Sequence, residues 1–363
     1  MLKYRIKPLD PLISRDARQF GAGSPMHSLD WMTNTAVAGA VRTALWKDSD
    51  NPASRETLEA LKKVPVKGNF PILDGKIYFP RPFDIIKSAN DIYQITPGEF
   101  PHDSGANMPV KGLLPSFPDN EEDFKPEKLN AFWEKDLLTH WLIQGKKDFT
   151  LDNSLTLSAP SHDVRVHASI DTSAGTSRDG MLFSTTGLDF IHMNGDKFSQ
   201  EEISIDADDS NLPARFIAPL GGERRLAEFS RHDEDSSLWE CPEELPVIDG
   251  NLRLVLATPA MFAKGWLPDW LDESTLTGTI PNTNITAKLI SAVTERWQPV
   301  SGWSYERGMT GPKPMRRSVP AGSVYFFRII NGTLDAKSLW LKSICTGEKN
   351  INDGFGLVLA GKW

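Results

Sequence analysis

Hydrophobic and polar residues alternate along several short stretches of the chain, and this pattern predicts β-strands. Near the start, Lys3–Lys7 alternates polar and apolar side chains, as a half-buried strand does. Near the end, the apolar run Leu357–Ala360 follows Gly354 and Gly356, and it is typical of a strand buried between layers. We expect these two strands to be neighbours in one sheet.

The clearest alternation lies in the middle of the chain. Val164–Ile170 places apolar residues on one side and polar residues on the other. The loop Asp171–Gly180 and the run Met181–Phe190 follow, which together predict a long-tipped β-hairpin. Further predicted strands cover Ala214–Pro219, Arg225–Phe229, Leu252–Ala257, Ile285–Val293 and Ser323–Ile329.

Helical spacing of apolar residues is less frequent. Ser24 and Pro25 suit the N-cap and the first position of a helix, which we expect to run to about Trp46. A second helix is predicted over Glu127–Gln144, with Gly145 just beyond its end. Shorter helices are predicted at Glu56–Lys63, around Trp266–Leu271 and at Asp335–Lys342. Scattered helices and a strand-rich second half favour an α+β fold.

Composition narrows the class of protein. The chain has 363 residues and a net charge of −8, so its overall charge does not indicate nucleic-acid binding, although a local basic groove can lie on an acidic body. Its two cysteines form no motif, which fits a reducing, cytoplasmic compartment. The first twenty residues lack the apolar segment of a signal peptide, and no apolar run is long enough to span a membrane.

Sequence motifs for catalysis are missing. His102-Asp103, His162-Asp163 and His232-Asp233 resemble dipeptides of metal phosphohydrolases, but all three lie in predicted loops. There is no HExxH, CxxC or EF-hand pattern, no nucleotide-binding glycine motif and no GxSxG. We therefore expect no catalytic residue, no metal and no cofactor.

Basic and glycine-rich loops are what remain as candidate functional positions. Arg15 and Arg18 lie in the first loop, and Ser24 and His27 lie where the predicted helix begins and free N–H groups suit a phosphate. Others are Arg178 at the hairpin tip, Gly221, Gly222, Arg224 and Arg225 between two strands, and the pair Arg316 and Arg317. Each of these loops can equally be an ordinary solvated turn with local ion pairs.

Five of these pieces, in this order, resemble one family. They are Pro8–Arg18, Gly180–Thr185, Leu220–Arg225, Pro320–Phe326 and Gly354–Gly356. Together they are similar to the Cmr3-type subunit of the type III-B CRISPR effector (the Cmr complex), a repeat-associated mysterious protein, or RAMP. The resemblance spans nearly the whole chain.

The resemblance implies two ferredoxin-like (RRM-like) domains with a β-hairpin thumb and a C-terminal glycine-rich loop. We place the domains at 1–150 and 151–363, with the last strand able to complete the N-terminal sheet. The implied function is non-catalytic capping of the 5′ repeat-derived tag of CRISPR RNA. The implied protein partners are the large polymerase/cyclase-like subunit and the first backbone RAMP subunit of the complex.

The implied RNA contacts extend the candidate site. Phosphates would meet arginines and glycine loops, and bases would be splayed into pockets. To the basic loops this adds His167, Thr176 and Met181 on the hairpin, and Gly354, Phe355 and Gly356 near the end of the chain. Met181 is a candidate apolar wedge against a base.

Two other functions stay open at this point. One is a structural bridge between subunits with little RNA contact of its own. The other is a metal-independent endoribonuclease that matures CRISPR RNA, with His27 or His167 as general acid or base.

Overall fold

The computed structural model describes residues 2–16, 26–47, 54–89, 91–100, 104–120, 123–194, 196–304 and 310–363. They have mixed α and β structure that is rich in strands, which confirms that part of the prediction. Unit 1 consists of Met1–Gly75, Ala159–Asp235 and Pro299–Arg316, and unit 2 of Lys76–Ser158, Ser236–Gln298 and Arg317–Trp363. Each compact unit takes three segments, so the chain does not divide into consecutive stretches after residue 150 as the sequence analysis expected.

The elements of the described residues are numbered along the chain. The helices are α1 (Asn34–Lys47), α2 (Arg55–Lys63), α3 (Lys135–Gln144), α4 (Ser236–Trp239) and α5 (Glu348–Asn352), with 3-10 turns at Asn153–Leu155, Asp233–Asp235 and Ala336–Leu339. The strands up to residue 194 are β1 (Leu2–Pro8), β2 (Val66–Leu73), β3 (Lys76–Pro80), β4 (Ile85–Ser88), β5 (Asp91–Pro97), β6 (Ser116–Pro118), β7 (Phe132–Glu134), β8 (Thr156–Leu157), β9 (Ser161–Asp171), β10 (Thr176–Asp189) and β11 (Ile191–Asn194).

The remaining strands follow in the second part of the chain. They are β12 (Lys197–Gln200), β13 (Glu202–Ala207), β14 (Arg215–Pro219), β15 (Leu226–Arg231), β16 (Val247–Ile248), β17 (Asn251–Leu256), β18 (Thr277–Thr279), β19 (Thr286–Val293), β20 (Gln298–Val300), β21 (Trp303–Ser304), β22 (Gly311–Pro312), β23 (Arg316–Ser318), β24 (Val324–Ile329), β25 (Leu334–Asp335), β26 (Lys342–Ser343) and β27 (Leu357–Lys362).

Unit 1 is built around an antiparallel sheet in the order β14-β15-β1-β13-β2. Strand β1 lies inside this sheet, and its Tyr4 and Ile6 are fully buried. Helix α1 covers the sheet with Val37, Val41 and Leu45, all buried. The alternation that predicted the first strand therefore marks a strand with neighbours on both edges.

Helix α1 begins at Asn34, so its predicted start at Ser24, which lies outside the described residues, is wrong. Met26–Leu29 is extended because it pairs with the preceding loop. The N–H of Leu29 donates to the carbonyl of Ser14 at 2.7 Å, for example. Backbone groups engaged in this pairing cannot form the first turns of a helix.

Helix α3 likewise begins later than predicted, at Lys135 rather than Glu127. The apolar residues before it form strand β7, in which the fully buried Trp133 pairs with Phe79 of β3. The predicted end is confirmed, because the N–H of Gly145 donates to the carbonyl of Trp141 at 2.9 Å and φ of Gly145 is +60°. The large apolar side chains that are spaced as in one helix therefore belong to two elements, strand β7 and helix α3.

Unit 2 contains a second antiparallel sheet, in the order β18-β19-β24-β17-β27-β26. The last strand, β27, pairs with β17 and β26, and β1 belongs to the other sheet. The prediction that the first and last strands are neighbours, and that the last one completes the N-terminal sheet, is therefore wrong. The predicted helix around Trp266–Leu271 is not helical, and Asp335–Lys342 forms only the 3-10 turn Ala336–Leu339.

The two sheets share a strand order. In unit 1 the strands β1, β2, β13 and β15 lie in the order fourth, first, third, second. In unit 2 the strands β17, β19, β24 and β27 lie in that same order. Helix α1 connects the first two strands in unit 1, and α5 precedes the fourth strand in unit 2.

A buried polar group of three residues lies inside unit 2. The guanidinium of Arg253 is 2.6 Å from the carboxylate of Asp84, and both side chains are fully buried. The indole N–H of Trp141 donates to the same carboxylate at 2.9 Å, and Arg253 donates to the Trp141 carbonyl. Removing one ionic partner would leave the other charge buried without compensation.

Candidate RNA-binding site

A glycine turn and the first loop of unit 1 are joined at one point. Ile13 forms a parallel bridge with Gly221, and the N–H of Gly222 donates to the Ile13 carbonyl at 2.8 Å. φ of Gly221 is +79°, and a Cβ on this residue would lie 2.3 Å from the Ile13 oxygen. Glycine is therefore required here for the approach of the first loop as well as for the backbone conformation.

The turn that follows carries two of the predicted arginines. Glu223 and Arg224 both have positive φ, +56° and +52°, and the N–H of Arg225 donates to the Gly222 carbonyl at 3.3 Å. These values describe a type I′ turn, which non-glycine residues adopt at a cost of about 1–2 kcal/mol each. Arg224 is exposed, and the buried Nε of Arg225 has no acceptor among the described residues.

The side chain of Arg15 reaches the same turn. Its Cδ lies 3.6 Å from the position that a Cβ of Gly222 would take. The backbone of Arg15 is held by a bridge to Ser28. The structure thus brings together the predicted residues Arg15, Gly221, Gly222, Arg224 and Arg225. We call them the arginine turn.

The first loop also connects the arginine turn to the base of the hairpin. The backbones of Leu12 and Leu188 exchange two hydrogen bonds, at 3.0 and 2.6 Å. The N–H of Met26 donates to the Ser184 carbonyl at 3.4 Å, and the next residue, His27, is exposed in extended chain. His27 therefore lies between the loop and the hairpin, and not at a helix N-terminus as predicted.

The hairpin itself is formed by β9 and β10, as predicted, but its tip is shorter. The return strand begins at Thr176 instead of Met181, so the connection is Thr172–Gly175. Asp171 receives hydrogen bonds from the hydroxyl and the N–H of Ser173, at 2.6 and 2.9 Å, and these bonds lower the pKa of its carboxyl. This tight turn replaces the longer loop Asp171–Gly180 that was predicted from the sequence.

A bulge near the tip carries two more of the predicted residues. Arg178–Met181 has no partners in register between the paired positions Ser177 and Leu182. Arg178 is 55% exposed, and its Nε is 3.8 Å from the Asp171 carboxylate. A bulge re-aims side chains away from the regular strand, so Arg178 and Met181 do not follow the alternation of its two faces.

The two faces of the hairpin differ in chemistry. On one face, His167 stacks on its cross-strand partner Phe183 at 5.1 Å between ring centroids, and a ring nitrogen is 2.9 Å from the Thr185 hydroxyl. The other face exposes Val164, Val166, Ile170 and Leu182, with exposed fractions of 60%, 71%, 55% and 64%. We call this second surface the apolar hairpin face.

The remaining predicted residues lie elsewhere. The guanidinium of Arg317 is 4.7 Å from the ring centroid of Trp297, in unit 2, whereas Arg316 belongs to unit 1. Arg18 and Ser24 lie outside the described residues. The prediction for Gly354, Phe355 and Gly356 is corrected next.

Gly354, Phe355 and Gly356 form part of the core of unit 2 and not a surface loop. All three are buried, and Phe355 is 1% exposed. The carbonyls of Gly354 and Phe355 accept hydrogen bonds from Thr258 and Ser343, at 2.8 and 2.7 Å. A Cβ on Gly356 would lie 2.5 Å from the sulfur of Cys345, so this glycine serves close packing within the protein.

Sequence reasoning missed the residues that support the site. Ile13 and Ser14 place the first loop against the glycine turn and against Met26–Leu29. Phe183 supports His167, and Trp297 lies beneath Arg317. Opposition of His167 and Phe183 depends on the bulge at Arg178–Met181, because a regular hairpin from the short turn would place His167 opposite Gly180.

Two classes of feature are not found in the described part of the chain. It brings together no group of three or more side chains suited to a metal ion. None of its helices has the length and hydropathy that crossing a membrane requires.

Comparison with known proteins identifies the family. The family model described as CRISPR-associated protein (Cas_Cmr3) matches residues 4–363. The chain belongs to the Cmr3 family of CRISPR-associated proteins. The predicted resemblance to the Cmr3 family is therefore confirmed.

Solved structures agree at the level of the fold. Two structures of a type III-B Cmr-beta complex bound to cognate target RNA, one also with AMPPnP, each contain a similar chain. That chain is 16% identical, with 89% of this chain and 86% of that chain covered and a TM-score of 0.50. A crystal structure of the type III-A Csm3–Csm4 subcomplex gives 12% identity, coverage of 93% and 97%, and a TM-score of 0.36. A search of curated proteins found no match.

Proposed function

We propose that this Cmr3-family protein is a non-catalytic RNA-binding subunit of a type III-B CRISPR effector complex, and that it caps the 5′ repeat-derived tag of CRISPR RNA. The observation that carries the proposal is the arginine turn. Arg15 and Arg224 lie on two separate segments that the Ile13–Gly221 bridge joins. Arginines and backbone N–H groups gathered in this way suit the phosphates of a single strand.

The hairpin supplies the second part of the proposed contact. Arg178 and Met181 lie in its bulge, and the stacked pair His167 and Phe183 lies on one face. In this proposal Arg178 contacts phosphate and Met181 presses against a base, with the aromatic pair beside the strand. Phosphate contacts set the register of the RNA, and base contacts select the tag.

The architecture proposed with this function is a pair of ferredoxin-like domains. Its support is the strand order that the two sheets share, fourth-first-third-second, which is the order of a ferredoxin-like sheet. The β9–β10 hairpin is inserted between the second and third strands of the first sheet and is the proposed thumb. The proposed protein partners are the large polymerase/cyclase-like subunit and the first backbone subunit.

Salt titration of binding to a 5′-tagged CRISPR RNA tests the function. For a single strand, the slope of log affinity against log salt is about −0.7 per phosphate neutralised. Arg224→Ala should weaken binding and make the slope shallower by about 0.7. Arg55→Ala removes the same charge from the exposed start of helix α2 and should change neither quantity.

The RNA is then run on a denaturing gel. Intact RNA together with tag-dependent binding agrees with a non-catalytic cap, whereas cut RNA would favour the endoribonuclease. The measurement is made with the full-length protein alone and with its large partner subunit present. Unchanged affinity and slope for Arg224→Ala, under both conditions, would contradict the assignment of the arginine turn.

One observation favours a second function, that of a structural bridge. The apolar hairpin face exposes four aliphatic side chains and carries no charge among the cross-strand pairs Val164–Thr186, Val166–Ser184 and Ala168–Leu182. Such a surface suits a protein partner better than phosphate. A bridge without RNA contact predicts that Val166→Glu blocks assembly while Arg224→Ala leaves RNA affinity unchanged.

A further inference from the structure

A cleft in unit 2 contains none of the residues of the candidate RNA-binding site. Its lining includes Val110, Lys111, Lys264, Trp266, Leu267 and Glu273. Its volume is about 450 Å³. This is within the range of about 300–1,000 Å³ that small-molecule sites occupy.

The loop that carries Trp266 is held in place by side-chain hydrogen bonds. The buried hydroxyl of Tyr325 donates to the Trp266 carbonyl at 2.5 Å. The carboxylate of Asp269 accepts from the N–H of Ala263 at 2.7 Å and from the hydroxyl of Thr346 at 3.0 Å. These bonds fix the Trp266 loop at both ends without a ligand.

The polar groups of the cleft are unequally engaged. Lys264 donates to the Leu271 carbonyl at 2.8 Å and lies 3.4 Å from the Glu273 carboxylate. Lys111, in contrast, is exposed and has no ion-pair partner among the described residues, and the indole N–H of Trp266 has no acceptor there. The cleft therefore offers an aromatic wall, an available cation and an available donor.

We propose that this cleft binds one nucleotide, with the base against Trp266 and the phosphate at Lys111. Every base has a face that stacks on an aromatic side chain, and a phosphate supplies the anionic partner for Lys111. The Glu273 carboxylate accepts from an exocyclic amino group, as acidic side chains do when they recognise cytosine. Adenine, cytosine and guanine are therefore bound more tightly than uracil.

A nucleotide fits these groups better than an acidic peptide with an aromatic anchor. The phenyl ring of phenylalanine has no donor for Glu273, whereas the exocyclic amino group of a base has one. The nucleotide is either free or unstacked from an RNA strand, since both present the same base and phosphate. The site does not rest on the arginine turn, whose residues all belong to unit 1.

Calorimetric titration of the full-length protein tests the proposal. The probes are 5′-AMP, 5′-UMP, adenosine, inorganic phosphate and a short single-stranded oligoadenylate. We expect 5′-AMP to bind more tightly than 5′-UMP or adenosine, with little binding of phosphate alone. Trp266→Ala should weaken 5′-AMP by roughly 5- to 150-fold, the range of one lost base stack, whereas Trp266→Phe retains a stacking surface and most of the affinity.

Lysine variants test the position of the phosphate. Lys111→Ala should weaken 5′-AMP but not adenosine, and Lys349→Ala, which removes an exposed lysine from helix α5, should weaken neither. If the protein binds 5′-AMP but not oligoadenylate, the ligand is a free nucleotide. If it binds both, the cleft also accepts a nucleotide within an RNA strand. Absence of binding to all nucleotides, or a folded Trp266→Ala variant that binds 5′-AMP like the wild type, would overturn the proposal.

Discussion

Gly221→Ala tests whether close approach of the first loop holds the arginine turn together. An L-residue in the left-handed region costs about 1–2 kcal/mol. The new Cβ, built 2.3 Å from the Ile13 oxygen, forces the two segments apart and breaks the 2.8 Å hydrogen bond from Gly222, a loss of about 0.5–1.5 kcal/mol. Alanine restricts the unfolded chain and returns about 0.4–1 kcal/mol. We expect the free energy of unfolding to fall by about 2 kcal/mol.

Gly75→Ala is the matched control within unit 1. φ of Gly75 is +77°, close to that of Gly221, but nothing lies within 4 Å of its built Cβ. Only the backbone cost and the unfolded-state gain apply, so its effect should be about 1 kcal/mol or less. Urea unfolding of the two variants, measured side by side, isolates the contribution of the Ile13 contact.

The same pair of variants should separate in RNA binding. Displacement of the first loop moves Arg15 away from Arg224, and loss of one charge-assisted contact weakens binding by about tenfold or more. Gly75→Ala should bind tagged RNA like the wild type. Equal destabilisation by the two variants would refute the close approach, and unchanged RNA affinity of Gly221→Ala would refute its role in aligning the arginines.

Three further predictions concern buried and exposed side chains. Arg253→Met leaves the Asp84 carboxylate buried and unpaired, so urea unfolding should show a loss of about 3–5 kcal/mol that Asp84→Leu in the same chain largely restores. The Glu201 carboxylate, 2.5 Å away and fully buried, raises the pKa of His192 above its ordinary 6.5, so the contribution of His192 to stability is complete below pH 6.5 and is lost as pH rises through the raised pKa. Burial raises the pKa of the Glu201 carboxyl as well, so urea unfolding is measured from about pH 6 to about pH 9, where it should show this loss, and His192→Gln should abolish it. Val166→Glu, on the apolar hairpin face, should change stability by less than about 0.5 kcal/mol, and if this face binds a partner subunit, it should reduce assembly in sedimentation velocity.

Alternation proved to be the most informative sequence signal, because its period of two directly reports which side chains share a face. It gave β1, both strands of the hairpin and β15 to within a few residues. It did not show which face of the hairpin is covered. Val164–Ile170 has the pattern of a half-buried strand, yet its aliphatic side chains are exposed.

Helix starts were predicted poorly because local signals competed with long-range pairing. Ser24 and Pro25 have the chemistry of a helix start, but the chain after them pairs with the first loop as far as Leu29, and the helix begins only at Asn34. Trp133 fits helical spacing equally well, but its strand completes a ladder with Phe79. Neither partner is close enough in sequence to be recognised from the pattern of the predicted helix.

Glycines showed the limit of residue type as evidence for a site. Gly221 and Gly356 both have positive φ, and each lies against another part of the protein, at Ile13 and at Cys345. The first is beside exposed arginines, and the second is in a core. Sequence alone indicates that something approaches a glycine closely, but not whether that partner is a ligand or the protein itself.

The position of β1 inside its sheet has a consequence for synthesis on the ribosome. β1 ends at Pro8, but its two neighbours begin only at Glu202 and Leu226, roughly 190 and 220 residues later. At about 5–20 residues per second, this strand is synthesised some 10–40 s before the first of these neighbours. For that interval Tyr4 and Ile6 have no sheet to enter and both edges of the strand are open, which exposes the nascent chain to pairing with other strands.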